Sequence, residues 1–353
     1  MEKQKIIVTR QLEQDLAHAI TDLRPDGLFV LTDEATRKYC LPLISSFPCM
    51  ANAHHISIPA GEEHKTLSSA VHVWQALQRM GATRHSLIIN LGGGMVCDLG
   101  SFAAATFKRG MHFINIPTTL LAMVDASAGG KTGINFEGLK NEIGVFRQAD
   151  YVIIDTLFLK TLDRQNLLSG YAEMLKHGLI SDRPTWAHLL ADDILGSNWP
   201  AALRPQIEES IMIKQRYVSK DPLEQDLRKA LNFGHTAGHA FESFSLLSEV
   251  GKPLLHGYAV AFGMVVELYL SAIKSTFPVD AMHQTVRFIQ EHYGRFAITC
   301  DDYPTLLQLM AHDKKNTASR INFTLLADIG DVRINQSATE DEIKEALDFY
   351  REA

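Results

Sequence analysis

The sequence lacks several features that would assign it to a specialised class of protein. Its four cysteines have no CxxC or other paired spacing, so neither a disulfide framework nor a cysteine-based zinc site is predicted. Lysine and arginine number 34 against 41 aspartates and glutamates, and the net charge of −7 gives no overall basic footprint for nucleic acid. We find no apolar run of ~18 residues and no signal peptide, and therefore expect a cytoplasmic protein without a membrane partner.

What is present is typical of a globular protein of about two domains, since 353 residues exceed the roughly 150 of one domain. Over residues 1–160, short apolar runs alternate with helical patterns, which predicts a mostly parallel sheet covered by helices. Over residues 161–353 long helical patterns dominate, among them residues 163–180, 226–246 and 257–276, and only residues 323–326 resemble an isolated strand. We therefore predict an α/β nucleotide-binding domain followed by a mainly α-helical domain.

Two glycine-rich segments are candidates for anion binding. Gly92-Gly93-Gly94 follows an apolar strand and opens a helix, whose free N–H groups and dipole favour a phosphate, although GxGxxG is absent. The second segment, residues 129–133, resembles the end of a P-loop, but Asp125 stands where that motif requires its first glycine. Lys131 is then either a ligand for phosphate or carboxylate, or a solvated loop lysine.

Histidines at helical spacing are candidates for metal binding. His235 and His239 are four residues apart and share one helical face, but Thr236 takes the place of the glutamate in HExxH. His256 and Glu173 are further candidates, and three protein ligands with one open position are usual for catalytic zinc. With 15 histidines in the chain, the spacing alone leaves a chance H-x₃-H equally open.

Further short motifs accompany these segments in one order and at one spacing: Arg109-Gly110, Pro117-Thr118-Thr119, Val124-Asp125, Lys140-Asn141, Lys176 and Asp313-Lys314-Lys315. In this arrangement the chain resembles the 3-dehydroquinate synthase family of sugar phosphate cyclases, from residue 33 to beyond residue 315. The resemblance implies a dehydroquinate synthase-like fold and a homodimeric lyase of the shikimate pathway. It also implies NAD and zinc, or cobalt in its place, as cofactors.

In that family 3-deoxy-D-arabino-heptulosonate 7-phosphate is oxidised transiently at its C5 hydroxyl and loses phosphate by β-elimination. Reduction at C5, ring opening and an intramolecular aldol addition then give 3-dehydroquinate. The resemblance assigns the metal to Glu173, His235 and His256, and makes His239 an acid/base residue beside it.

Other roles are implied in the same way. Catalytic roles are implied for Asp125, Lys131, Asn141, Lys176 and His239. Arg109 is expected to reach the phosphate site of a neighbouring subunit. Further substrate contacts are implied for Lys131, Asn141, Lys176, Lys214, Arg228, Asn232, His239 and one of Lys314 and Lys315. NAD contacts are implied for Asp33, Glu62, Lys65, Gly93, Gly94, Asp98, Thr118, Thr119, Lys131, Lys140, Phe158, Leu159, Lys160 and Thr161.

Two alternatives use the same features. Another sugar phosphate cyclase, acting on sedoheptulose 7-phosphate or forming 2-deoxy-scyllo-inosose, would share the scaffold. A metal-dependent polyol dehydrogenase of the glycerol dehydrogenase type would share the architecture but release NADH stoichiometrically. Among departures from the family pattern, Cys97 stands where glycine is common, which bears on local geometry and NAD affinity.

Overall fold

The computed structural model describes residues 4–137, 139–192, 194, 196, 200–247, 253–311 and 321–353. The chain forms two compact units, one of Met1–Asp163 with Ser197–Ile211 and one of Arg164–Gly196 with Met212–Ala353. The predicted ranges 1–160 and 161–353 differ from this division at Ser197–Ile211. In the first unit Arg204 donates hydrogen bonds to the main-chain oxygens of Val8 and Thr9. The hydrophobic periodicity of a sequence does not predict such a contact between distant parts of the chain.

The first unit is built on a six-stranded sheet. Its elements are β1 (Lys5–Val8), α1 (Leu12–Leu23), β2 (Leu28–Asp33), α2 (Glu34–Tyr39), β3 (His54–Ile58), α3 (Leu67–Arg79), β4 (Leu87–Gly92), α4 (Gly94–Thr106), β5 (His112–Pro117), β6 (Lys131–Phe136), β7 (Leu139–Phe146) and β8 (Tyr151–Ile154). The strand order is β1-β8-β5-β4-β2-β3, and every pair is parallel. Every residue of β4 is buried, as expected for a strand covered on both faces. The predicted α/β class is confirmed.

The carboxyl ends of β2, β4 and β5 meet at one edge of this sheet. Leu31 pairs with Asn90, and Gly92 pairs with Pro117, so the chain leaves these strands side by side. Open parallel sheets bind their ligands at this edge. Asp33, Gly93 and Thr118 follow or end these strands and therefore lie along it.

Strands β6 and β7 form an antiparallel hairpin that the sequence analysis did not predict. Glycine weakens strand propensity, and this hairpin has glycine on both strands. A Cβ atom at Gly144 would lie 2.1 Å from the main-chain oxygen of Thr132, so the strands approach too closely there for a side chain. The glycines weaken the strand pattern in the sequence, and they also allow the two strands to approach this closely.

From residue 164 onward the chain is mainly helical, as predicted. The elements are α5 (Arg164–Leu179), α6 (Arg183–Ala191), α7 (Arg204–Lys220), α8 (His235–Leu247), α9 (His256–Ser275), α10 (Val279–Tyr293), α11 (Tyr303–Ala311), β9 (Ile321–Asp328), β10 (Asp331–Ala338) and α12 (Glu340–Glu352). The strand predicted at residues 323–326 is not isolated, because β9 pairs antiparallel with β10. Strand β10 is mostly polar, with only Val332 and Ile334 as large apolar residues, and gave no recognisable pattern.

Helix α9 is long and apolar enough to cross a membrane, with a mean hydropathy of 1.3 over 18 residues. The helix was expected from its pattern, but Glu267 interrupts its apolar run, so no membrane span was predicted. Of that window, 72% is buried inside the structure, which is typical of a core helix in a globular protein. The helix is therefore weak support for a membrane span.

Candidate functional site

Three candidate metal ligands converge in the second unit. Glu173 lies on α5, while His235 and His256 are the first residues of α8 and α9. One ligand atom from each lies within 4.8 Å of the others. The Nε2 atoms of His235 and His256 are 3.4 and 3.5 Å from Oε1 of Glu173. This composition, one carboxylate and two imidazoles, suits a catalytic zinc ion.

The buried carboxylate of Glu173 supports the same assignment. Its side chain is fully buried, and among the described residues Oε1 has no hydrogen-bond partner. Lys176 forms an ion pair with Oε2, so it is Oε1 that faces the two imidazoles. Burial acts to raise the pKa of Glu173, but Lys176 and His235 outweigh it and hold the pKa well below its usual range. An ionised oxygen facing two ring nitrogens is a position that a divalent cation would satisfy.

The opposite nitrogens of both imidazoles face acceptors. Nδ1 of His235 lies 3.1 Å from the main-chain oxygen of Phe233, which only accepts, so Nδ1 donates and Nε2 carries the lone pair. Nδ1 of His256 lies 3.4 Å from Oε2 of Glu242. Burial alone lowers the pKa of His256, but Glu242 and Glu173 raise it to about 10. Metal-binding histidines usually direct their second nitrogen to an acceptor in this way. The donor set therefore fits zinc.

Glycines bring the three helices close enough for these side chains to meet. A Cβ atom at Gly257 would lie 1.8 Å from the main-chain oxygen of Ser169, so α9 begins in direct backbone contact with α5. The main-chain N–H of Gly257 also donates to Oγ of Ser169 at 3.1 Å. A Cβ atom at Gly263 would lie 2.0 Å from the main-chain oxygen of Gly234. Helix α9 is thus fixed against both helices that carry the other ligands.

The start of α8 differs from the prediction of one helix over residues 226–246. A 3₁₀ helix, Leu227–Asn232, precedes it, and Gly234 has φ of +80°, a conformation that favours glycine. Glu267 of α9, fully buried, accepts hydrogen bonds from the main-chain N–H groups of Gly234 at 2.6 Å and Ala237 at 3.1 Å. A carboxylate at a helix N-terminus is favourable. This contact fixes the turn that presents His235.

His239 lies one helical turn beyond His235, and its side chain is exposed. Its ring centroid is 5.3 Å from that of His235 and 5.8 Å from that of His256. Among the described residues, no group of candidate ligands contains both His235 and His239, although His239, Glu242 and His256 form a second group. Spacing alone would let the two histidines of H-x₃-H share an ion. The geometry instead favours the group of Glu173, His235 and His256.

Sequence reasoning missed Glu242, and a signal for it was present. His235, His239 and Glu242 stand at positions i, i+4 and i+7 of α8, and such residues share one helical face. Glu267 gave no comparable signal, because its partners are main-chain groups of another helix.

Several predicted substrate residues of the second unit are buried. Lys176, Lys214 and Arg228 are each at most 5% exposed. Lys176 donates to the main-chain oxygen of Leu231 at 2.8 Å, and Nη1 of Arg228 donates to that of Pro222 at 2.7 Å. Asn232 donates to Oε1 of Glu224 at 3.1 Å and lines a pocket with His235 and His239. Lys314 and Lys315 lie outside the described residues.

In the first unit, the glycine turn after β4 presents main-chain atoms. Gly93 is the N-cap of α4 and makes no side-chain cap hydrogen bond. A Cβ atom there would lie 3.0 Å from Cγ2 of Thr119, and one at Gly94 would lie 3.3 Å from Cβ of Ala126. Thr118 is tied to the same turn, since its N–H donates to the oxygen of Gly92 at 3.0 Å. A helix N-terminus at the carboxyl edge of a parallel sheet is a phosphate-binding position.

Asp33 already has a structural role at the end of β2. Its Oδ1 accepts from the main-chain N–H of Thr36 at 2.6 Å and forms a capping box at the start of α2. Its location at the carboxyl edge is the one that the resemblance implies for a ribose contact. The capping contact thus uses the carboxylate that the resemblance implies for the ribose.

Lys65 joins predicted cofactor residues to a predicted substrate residue. Its Nζ lies 2.6 Å from Oδ2 of Asp98, 2.5 Å from Oδ1 of Asn141 and 3.8 Å from Oε1 of Glu62. Burial raises the pKa of Asp98, while Lys65 acts in the opposite direction. Asn135 of β6 further links the hairpin to this turn through the oxygens of Glu62. These residues form one cluster within the first unit.

The remaining predicted residues of this unit differ in backbone conformation and in exposure. Asp125 lies in a π-helix, Ala122–Ala126, a conformation frequent at functional sites. Arg109 is exposed at φ of +67°, directly after Lys108 at +48°, an uncommon conformation for residues other than glycine. The exposed members are Lys131, Lys140, Lys160 and Thr161, whereas Phe158 and Leu159 are fully buried. If Phe158 and Leu159 border a cofactor, they therefore do so through their main-chain atoms and not through their side chains.

Comparison with known proteins identifies the family. Residues 55–169 match the family model described as 3-dehydroquinate synthase N-terminal, and residues 170–316 match the corresponding C-terminal model. A 3-dehydroquinate synthase of Parabacteroides distasonis is 51% identical over 353 residues, covering 100% of this chain and 99% of the relative. One from Pseudoalteromonas atlantica is 38% identical over 331 residues, covering 91% and 90%.

Solved structures agree in fold. A 2-epi-5-epi-valiolone synthase from Streptomyces hygroscopicus, with NAD⁺ and Zn²⁺ bound, has a TM-score of 0.85 at 25% identity and covers 100% of this chain and 98% of its own. A probable glycerol dehydrogenase from Sinorhizobium meliloti has a TM-score of 0.62 at 15% identity, covering 99% and 96%, and shares the fold alone. The resemblance drawn from the motifs is confirmed: the chain belongs to the 3-dehydroquinate synthase family.

Proposed function

We propose that the protein converts 3-deoxy-D-arabino-heptulosonate 7-phosphate to 3-dehydroquinate and phosphate, as a lyase that binds NAD and zinc. The observation that carries this proposal is the convergence of Glu173, His235 and His256 in a chain that matches 3-dehydroquinate synthases over its whole length. The solved relative with NAD⁺ and Zn²⁺ supports the choice of cofactors. Cobalt is a second metal for the same ligands, since a related synthase was solved with Co²⁺.

Glu173, His235 and His256 would hold the metal. When bound, zinc supplies a Lewis acid for the C5 oxygen of the substrate, and NAD⁺ supplies a hydride acceptor. His239 moves the proton of the C5 hydroxyl, because it is exposed and adjacent to the ligand histidines without belonging to their group. Imidazole is the side chain that most often transfers a proton as a general acid or base at neutral pH. Asp125 is proposed to hydrogen bond near the same hydroxyl.

Cationic and amide side chains bind the carboxylate and phosphate of the substrate. Charge-assisted hydrogen bonds to such groups are strong, and they offset the cost of burying lysine and arginine. The proposed contacts are Lys131 and Asn141 of the first unit, and Lys176, Lys214, Arg228, Asn232 and one of Lys314 and Lys315 of the second.

NAD is proposed to bind the carboxyl edge of the six-stranded sheet. Gly93 and Gly94 offer main-chain N–H groups to the pyrophosphate, and Asp33 offers a carboxylate to the ribose. Further contacts come from Glu62, Lys65, Asp98, Thr118, Thr119, Lys131, Lys140 and the Phe158–Thr161 stretch. We also propose a cytoplasmic homodimer in which the exposed Arg109 reaches the phosphate site of the partner subunit.

Incubations with three substrates test the proposed activity. Purified protein with zinc and NAD⁺ should release phosphate from the heptulosonate phosphate, with no net rise in absorbance at 340 nm. Sedoheptulose 7-phosphate, which lacks the carboxylate, should release none, and glycerol should yield no NADH. Phosphate release from sedoheptulose 7-phosphate alone would favour the other cyclase activity. Stoichiometric NADH from glycerol would favour the polyol dehydrogenase.

A further inference from the structure

Helix α8 presents a buried carboxylate on the same face as its two histidines. We infer that Glu242 is a positioning residue of the metal centre, which holds His256 in the tautomer and orientation that bind the ion. The inference rests on the metal site proposed above and assigns a further residue to it.

The geometry at His256 carries the argument. Glu242 is 4% exposed, and its Oε2 lies 3.4 Å from Nδ1 of His256. On the other side of the ring, Nε2 lies 3.5 Å from Oε1 of Glu173. An ionised carboxylate only accepts hydrogen bonds, so Nδ1 keeps its proton and Nε2 is the nitrogen left to bind the ion. The opposite tautomer would direct an N–H group at the metal position.

The side-chain hydroxyl of Ser245 links the same two segments. Oγ of Ser245 donates to the main-chain oxygen of Glu242 at 2.7 Å and accepts from the N–H of Leu254 at 3.0 Å. Leu254 stands two residues before His256. The segment leading into α9 is therefore hydrogen bonded to α8 close to Glu242. The carboxylate and the ring are thereby held at a fixed separation.

The two ligand histidines are oriented by different kinds of acceptor. His235 uses the main-chain oxygen of Phe233, which no substitution removes, whereas His256 uses a side chain. Removal of such an orienting partner typically weakens metal binding by about 10–100-fold. Substitution of Glu242 should therefore change the orientation of the His256 ring while all three proposed ligands remain.

Glu242 has a competing role, because it also lies in the group formed with His239 and His256. As a direct ligand it would bind the ion through its carboxylate. Replacement by glutamine separates the two roles, since an amide oxygen still accepts from Nδ1 but is a poor substitute for a carboxylate ligand.

The test measures Zn²⁺ affinity by competition with a chromophoric chelator, and visible absorption after Co²⁺ loading, on the full chain. Glu242→Leu should raise the Zn²⁺ dissociation constant by about 10–100-fold and change the Co²⁺ spectrum. Glu242→Gln should fall between wild type and Glu242→Leu. Ser245→Ala is the matched control, because it removes the hydroxyl contacts to Glu242 and Leu254 but leaves the carboxylate, and it should weaken Zn²⁺ binding less than Glu242→Leu does.

Wild-type affinity in Glu242→Leu, or a loss in Ser245→Ala as large as in Glu242→Leu, would overturn the inference. So would a loss in Glu242→Gln as large as in Glu173→Gln, which would make Glu242 a ligand. If Glu242→Leu does not fold, Glu242→Gln decides: an affinity between those of wild type and Glu173→Gln supports the role, and equality with either contradicts it. Full Zn²⁺ binding by Glu173→Gln would instead refute the proposed metal site itself.

Discussion

In the first unit the candidate binding edge is built largely from main-chain atoms, whereas the candidate metal centre of the second unit is built from buried side chains. Gly93 contributes main-chain atoms of a turn, and its lack of a side chain leaves these atoms accessible. Glu173 and Lys176 contribute charged groups that are at most 1% exposed. A backbone site depends on local conformation, but a buried charge depends on every partner around it.

The difference also bears on which substitutions a site accepts. Cys97, where the family commonly has glycine, is buried in α4, with Sγ 3.6 Å from the oxygen of Gly92. The side chain thus contacts the main chain of the turn, and Gly93 is still the N-cap of α4. No such freedom exists at Glu173, whose Oε1 faces both imidazoles. We therefore expect graded effects in the first unit and nearly complete ones in the second.

The largest effect is expected for Glu173→Ala. It removes the oxygen that both imidazoles face, so bound zinc and turnover should fall almost to zero. NAD⁺ affinity should stay near wild type, because the glycine turn lies in the other unit. Metal analysis with an NAD⁺ titration checks both statements. Full metal occupancy with normal turnover would contradict the ligand assignment.

His239→Ala should have the next largest effect. We expect one zinc per subunit and unchanged NAD⁺ binding, with turnover lowered about 10²–10⁴-fold, the usual range for a positioned acid or base. A metal-free variant would show that His239 is a ligand, and unchanged turnover would leave it as a histidine packed beside the centre.

Much of this comparison could be predicted from sequence. The helices carrying Glu173 and His256 were expected within one or two residues of their observed bounds, because their patterns are long. The ligand set came from the resemblance, since spacing alone also allowed His235 and His239 to share the ion.

What could not be predicted depends on contacts between distant residues. The break before α8 requires Gly234 at positive φ and the carboxylate of Glu267 from another helix. The segment at Arg204 belongs to the first unit, where Arg204 donates hydrogen bonds to Val8 and Thr9. Periodicity describes one element at a time and contains no such pairings.

A third prediction compares a buried with an exposed cation. Sequence reasoning expects Arg228→Ala and Lys131→Ala both to weaken catalysis without altering the melting temperature. Arg228 is 2% exposed and donates to the oxygen of Pro222, so its replacement loses this hydrogen bond and should cost about 0.5–1.5 kcal/mol of stability. Lys131 is exposed, and its replacement should leave the melting temperature unchanged. Thermal unfolding with steady-state kinetics measures both, and equal melting temperatures would show that burial of Arg228 contributes no stability.

The smallest effect is expected at the glycine turn itself. In Gly93→Ala the new methyl would lie 3.0 Å from Cγ2 of Thr119, on the surface proposed to meet the pyrophosphate. We expect the dissociation constant of NAD⁺ to rise about tenfold, equivalent to about 1.4 kcal/mol, with zinc binding and melting temperature close to wild type. Thr119→Ser removes Cγ2 and therefore separates two causes. If the double variant Gly93→Ala with Thr119→Ser keeps the weak NAD⁺ binding, the methyl obstructs the cofactor directly. If it regains wild-type affinity, crowding against Thr119 is the cause, and the turn does not bind the pyrophosphate as closely as proposed.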